Sequence, residues 1–412
     1  MSDASVLLPF EPRRLERDSA HRSAAVAAYA AESRSGELVE LLSRRGGSGP
    51  VVLDRRSYPQ LREELCRNIL AAATPDRLDR LFPGDPQQLL RPQGGVSFGS
   101  GAAGVLWALA EVGTEVPTEL VDWLEGAVSR MEGPGPGLVD GLGGIALALD
   151  KLGRVDAAGR LWRELEEVQL DRLGVDLAGG LAGVGLALLE RAPFPDGDAL
   201  MDRVCLIAEE LMTRLGQPDG APCRPGLLHG GAGVALFLLH AYEITADVRM
   251  LAHAEAALQR DMALLGWGPF TDPGTPALWH DRPFLGAGSA GVGMVLHEAM
   301  NYLDAPWLFE AREAIAAACD DHVSGHPGLL HGWSGTLAAL QYLRSRPWDP
   351  PEDRFDVVRP HLTRLGRATG YIPFLGENTV RASADIGSGA AGILVTLEQL
   401  LGDGTRRMPL FW

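Results

Sequence analysis

The sequence predicts an all-α protein: a double-layered α/α toroid of seven helical hairpins, with a small helical segment at its N-terminus. Three observations carry this. First, a Gly-x-x-Gly pair followed by an apolar helical run recurs seven times. Its first glycines (Gly101, Gly141, Gly180, Gly230, Gly288, Gly332 and Gly389) lie 40, 39, 50, 58, 44 and 57 residues apart, and self-similarity at such periods marks a repeat architecture. Second, amphipathic segments lie between the motifs. Third, the first and last copies, "SGAAGVLWAL" and "SGAAGILVTL", are nearly identical and equally apolar. An open solenoid needs polar capping repeats, so closure into a ring is preferred.

Each element follows from local pattern. The run after each glycine pair is apolar nearly all round, as in a buried helix. In "DALMDRVCLIAEELMTRL", Leu200, Val204, Ile207 and Leu211 recur at helical spacing, so this is a one-faced outer helix. The expected unit is therefore an outer helix, a loop and a buried inner helix. Glycines at i and i+3 share one helix face and let backbones approach closely. Each costs about 1 kcal/mol of helix propensity, which implies a packing or binding reason. Residues 1–80 lie outside the repeat. "SAAVAAYAAESRSGELVELLSRR" and "YPQLREELCRNILAAAT" read as helices, and "DRLFPGDPQQ" as a breaker before a toroid over 81–412.

Composition excludes several classes. The chain has 412 residues, 46% of them hydrophobic. No apolar run approaches the ~18 residues of a membrane span. The N-terminus lacks the pattern of a secretory signal. Four scattered cysteines form no Cys-x-x-Cys, so a reducing, cytoplasmic setting is expected. The net charge of −17 leaves no basic face for nucleic acid.

The position before the first glycine of each motif holds Ser100, Asp140, Gly179, His229, Ala287, His331 and Ser388. Ser and Asp there are ordinary N-caps. Histidine is a poorer cap, and it titrates near neutrality. Two such histidines, each in a "GLLHG" block, point to proton transfer at the rim of one cavity. The seven inner-helix N-termini, with N–H groups and positive dipole ends, suggest a place for an anionic intermediate. Asp176 stands four residues before Gly180 and reads equally as a capping residue. "WHDRPFLGAG" places His280, Asp281 and Arg282 ahead of the fifth motif. Arg282 suits an oxyanion or a structural ion pair. Asp385, in "ASADIGSG", reads as a helix cap.

These motifs together resemble the lanthionine-synthetase C-like cyclases over roughly residues 80–412. "DRLFPGDP" followed by "GSGAAGVLWAL", with "LGAGSAGVG", looks most like the cyclase region of class III lanthionine synthetases, which are fusions of a lyase, a kinase and a cyclase. The resemblance implies an α/α toroid and intramolecular thioether formation, in which a peptide cysteine adds to dehydroalanine or dehydrobutyrine. It places Asp176, His229, Arg282 and His331 as catalytic groups. His280, Asp281 and Trp333 would contact the peptide. The expected partners are the dehydrated precursor peptide and kinase and lyase domains, fused or separate, with residues 1–80 as the kinase end or a linker.

In zinc-dependent members of that family a metal activates the thiol. The three ligand positions correspond here to Gly286, Leu330 and His331, so only one donor remains and no metal or other cofactor is expected. A thiol is a few per cent thiolate at neutral pH, and a nearby base can generate the nucleophile instead. The competing reading is an inactive cyclase-like scaffold that binds the precursor or a partner enzyme. A glycosidase would need two carboxylates flanking a sugar cleft, and the rim offers few aromatics for sugar stacking.

Overall fold

The computed structural model describes residues 52–402 apart from 92, 192–196, 218–219, 221, 223, 268–269, 271–281, 323, 345–349, 364, 366–369 and 378–380. They fall in one compact unit that begins at Val52. Among the described residues there is no strand, only an isolated antiparallel bridge between Leu375 and Ala382. No described helix is long and apolar enough to cross a membrane.

Seven helices open on the glycine motifs: α2 (Ala102–Glu111), α4 (Leu142–Lys151), α6 (Leu181–Arg191), α8 (Gly231–Thr245), α10 (Ser289–Ala299), α12 (Trp333–Leu343) and α13 (Ala390–Leu401). Each packs on the next, and α13 packs on α2, so the ring is closed. Six further helices form the outer layer: α1 (Tyr58–Ala71), α3 (Thr118–Ser129), α5 (Val155–Glu166), α7 (Gly197–Leu215), α9 (Val248–Leu265) and α11 (Pro306–Asp321). Inner helices are buried on every side; in α8 each residue from Gly231 to Leu239 is buried. Outer helices bury one stripe, as α5 does with Ala157, Ala158, Leu161, Trp162 and Leu165. Full burial of one such large side chain stabilises by roughly 1.5–3 kcal/mol.

The packing partner of an inner helix is the outer helix that follows it: α5 for α4, α7 for α6, α9 for α8, α11 for α10. The last inner helix, α13, has no helix after it among the described residues. Its outer cover is α1, from the start of the described chain. Tyr58 Oη donates to Glu398 Oε2 on α13 at 2.7 Å, and Leu61, Leu65 and Ile69 are buried. Of the segment expected at 1–80, residues 52–80 thus belong to the same compact unit as the toroid.

A second ring, of backbone hydrogen bonds, joins the loops ahead of the inner helices. Gly99 N donates to Val139 O, Val139 N to Ala178 O, Ala178 N to Leu228 O, and Leu228 N to Gly286 O. Gly286 N then donates to Leu330 O, Leu330 N to Gly387 O, and Gly387 N back to Gly99 O, all seven within 2.7–3.1 Å. Every member stands two residues before a motif's first glycine. The second glycine of each motif lies over the loop's own carbonyl six residues back. A Cβ there would come within 1.9–2.2 Å of that oxygen, from Gly104 on Phe98 to Gly392 on Ile386. Any side chain at these seven positions would push the inner helix off its loop.

Candidate active site

The hydrogen-bonded loop ring leaves the next residue of each loop at one mouth of the toroid. Ser100, Asp140, His229, His331 and Ser388 line one cavity there, with Asp385 and Glu377. His229 Nδ1 lies 3.7 Å from Asp176 Oδ1. The same carboxylate oxygen accepts from Gly179 N at 2.9 Å, which fixes its direction. Burial raises the Asp176 carboxyl, but the His229 ring and the Gly179 and Ala178 N–H groups outweigh it and hold the group below the ordinary carboxylate range. A carboxylate at Nδ1 orients the imidazole and leaves Nε2 for substrate.

His331 has a pair of its own, which the sequence does not announce. Its Nδ1 lies 3.3 Å from Glu377 Oε2. The His331 ring is the main cause that holds the Glu377 carboxyl low, against burial. Asp140 is bound by Arg91 at 2.5 Å. Burial, with a lesser push from Asp176, raises the Asp140 carboxyl despite Arg91 and His229. Asp385 is a buried cap, as expected: it accepts from Ser388 N at 2.7 Å, Gly389 N at 3.2 Å and Asp85 N at 3.2 Å.

The remaining expected residues are placed differently. Arg282 is exposed, and its carbonyl accepts from Ser289 N at 3.2 Å. Trp333 is buried; its ring packs edge-on against Phe355 and its Nε1 donates to the carbonyl of Arg354. His280 and Asp281 lie outside the described residues. The rim does not offer the first N–H of each inner helix to an anion. In six motifs that N–H donates to a loop carbonyl seven residues back, and in the fourth, Gly231 N donates to Asp261 Oδ1.

A closed α/α toroid whose glycine-opened inner helices carry imidazole–carboxylate pairs at one mouth is the class of protein this fold and site define. The chain belongs to the lanthionine synthetase C-like family, whose model, described as "Lanthionine synthetase C-like protein", matches residues 95–411. It is 37% identical over 379 residues to the probable SapB synthase of Streptomyces coelicolor, a match that covers 89% of this chain. The chain spans 40% of that relative's length. A solved structure of nisin cyclase shares the fold, with a TM-score of 0.54 over 76% of this chain and 90% of that one, at 17% identity.

The three positions matching the family's metal ligands do converge. A Cβ on Gly286 would lie 3.1 Å from His331 Nε2 and 3.2 Å from Leu330 O. Glycine and leucine bring no donor side chain, and Glu377 faces the other ring nitrogen. A catalytic zinc takes three protein ligands, so this donor set does not fit one. Among the described residues, no group of three His, Cys, Asp or Glu side chains is arranged to hold a metal ion.

Proposed function

We propose that this protein closes (methyl)lanthionine or related thioether rings in a dehydrated precursor peptide, without zinc. The observation that supports this most is the Asp176–His229 pair at the mouth of a toroid of this family. His229 Nε2 takes the proton of a peptide cysteine thiol. The sulfur attacks the β-carbon of dehydroalanine or dehydrobutyrine, a C–S bond forms, and the π pair moves to the carbonyl as an enolate. An imidazolium returns a proton to the α-carbon, so S–H has added across C=C with no other reactant.

In this reading His331, oriented by Glu377, is a second acid/base or peptide-positioning group. The exposed Arg282 contacts the peptide carbonyl that becomes the enolate, and His280 and Asp281 contact the peptide near it. The buried placement of Trp333 favours support of the sixth loop over peptide contact. His229 also lines an outer groove with Asp176, Arg214 and Arg224, which suits a peptide drawn past the pair. Kinase and lyase domains, fused or separate, would supply the dehydrated peptide.

The test is incubation of the chain with a precursor peptide already carrying dehydroalanine and free cysteine. Ring formation is followed by loss of alkylatable thiol and corrected for uncatalysed closure. Catalysed closure is expected. Binding without closure would indicate the scaffold reading instead. Stoichiometric zinc, lost together with activity on chelation, would overturn the zinc-free mechanism.

A further inference from the structure

The loop that carries His229 is built unlike the other six. In those six motifs the first helical N–H bonds to the loop's own backbone seven residues back: Ala102 to Gly95, Leu142 to Gly135, Leu181 to Gly174, Ser289 to Arg282, Trp333 to His326 and Ala390 to Ser383, at 2.7–3.2 Å. In the fourth motif a side chain replaces the backbone. Asp261, on the outer helix α9, accepts from Gly231 N at 2.8 Å, Ala232 N at 2.8 Å and Gly226 N at 3.1 Å. Its relative exposure is 0%. One carboxylate therefore clamps both ends of the segment Gly226–Ala232, with His229 between them.

The clamp needs close approach of the two helices. Gly231 is the only glycine at the first helical position of the seven motifs. A Cβ there would lie 2.4 Å from Ala257 O and 3.0 Å from Asp261 Oδ1. A buried carboxylate is a costly way to cap a helix when six sister loops do it with a carbonyl. Its distinguishing consequence is that the loop is tied to a rigid outer helix as well as to itself, and this is the loop whose side chain faces Asp176.

We infer that Asp261 is a positioning residue for His229, holding the Gly226–Ala232 loop so that the imidazole stays in register with Asp176 and the peptide. This rests on the reading of His229 as the proton-transfer group. A misplacement of about 1 Å at a reacting group can cost about 100-fold in rate.

The test uses the full chain with Asp261→Asn, which keeps the shape but turns an amide N–H₂ toward backbone donors, and with Gly231→Ala, which keeps the carboxylate but displaces α9. Both should lower kcat for ring closure by about 10- to 100-fold and leave KM and peptide Kd within about twofold. In both, amide exchange should speed up at Gly226, Gly231 and Ala232, and the imidazole ¹⁵N shifts of His229 should move while those of His331 do not. Unchanged His229 shifts and local exchange in both variants would overturn the inference, as would changed shifts with an unchanged kcat. If the wild type closes no ring, the cyclase reading fails, while exchange and shifts still decide whether Asp261 holds His229. If Asp261→Asn does not fold, Gly231→Ala carries the same decision.

Discussion

The two "GLLHG" blocks, Gly226–Gly230 and Gly328–Gly332, share five letters and both lead into an inner helix, yet they are held by different parts. In the first block Gly226 has φ +121 and faces the fifth loop, where a Cβ would lie 2.7 Å from Gly288 N. Its N–H and those of Gly231 and Ala232 converge on Asp261 of α9. In the second block Gly328 N donates to the ring of His326 at 3.1 Å, and Trp333 N and Ser334 N donate to the His326 and Pro327 carbonyls. His229 then faces Asp176, from the loop of the preceding inner helix. His331 faces Glu377, from the loop ahead of the last one. Equal sequence has given Leu228 and Leu330 equal places in the ring of loop hydrogen bonds, while the neighbours decide the partner of each histidine and how firmly it is held.

The largest expected effect separates the two histidines as catalysts. General acid–base catalysis contributes about 100- to 10,000-fold. His229→Ala should slow corrected ring closure by about that much, with melting temperature and peptide affinity nearly intact. His331→Ala should cost less, because it acts in this reading as the second group. Equal rates for wild type and His229→Ala would remove His229 from the mechanism. A larger loss in His331→Ala would exchange the two roles.

The next contrast is in stability. Gly226→Ala forces a non-glycine residue into a left-handed conformation and drives its Cβ into the backbone of the fifth loop. Strain of that kind costs about 1–3 kcal/mol. Gly328 is not among the positive-φ glycines, and a Cβ there would meet His326 Cε1 at 2.9 Å and one backbone atom, Ser388 Cα, at 3.0 Å, against three backbone atoms at 2.7–2.8 Å for Gly226. Denaturant melts should therefore place Gly226→Ala well below Gly328→Ala. Equal midpoints would mean that the first block is no more tightly fitted than the second.

Much of this is legible in the sequence. The second glycine of every motif is demanded by a backbone oxygen six residues back, so the requirement is written seven times and announces the toroid. His229 and His331 are legible because they hold the same offset from those glycines, whereas Asp176 is singled out only by the family resemblance. Docking of the N-terminal helical segment on the outside of the toroid is expected from the sequence, but not that α1 covers α13: Tyr58 meets Glu398 across 340 residues of chain, and no local pattern encodes a ring closing on its own beginning. Nor is Glu377 legible: it lies in the loop ahead of the seventh motif, twelve residues before Gly389 and at no repeated offset from the glycines. Asp261 did leave a trace. It interrupts the buried stripe Leu258, Met262 and Leu265 of an otherwise amphipathic helix, and a charge on such a stripe implies a partner in the core. The expectation of free N–H groups at the rim failed because the loops curl under their helices and occupy those donors.

The smallest effect concerns acid. Asp176 and Glu377 both have folded-state values below the ordinary carboxylate range. Each therefore stabilises the fold above that range, and the increment is lost as pH falls through its lowered value. Their side chains are 30% and 43% exposed, so solvent screens both, and each increment should stay under about 1 kcal/mol. The causes differ between the blocks. For Glu377 the largest is the hydrogen bond to His331, so His331→Ala should return that carboxyl to the ordinary range or above it and erase its acid-sensitive increment. For Asp176 burial is the largest influence and acts upward, with His229 and the Gly179 and Ala178 N–H groups acting against it. His229→Ala leaves those two backbone donors in place to oppose burial, so Asp176 should rise while keeping a restraint that Glu377 lacks. Carboxyl ¹³C titration of the two variants reads both values directly. A larger rise at Asp176 in His229→Ala than at Glu377 in His331→Ala would show that the first carboxyl leans on its imidazole more than the second does.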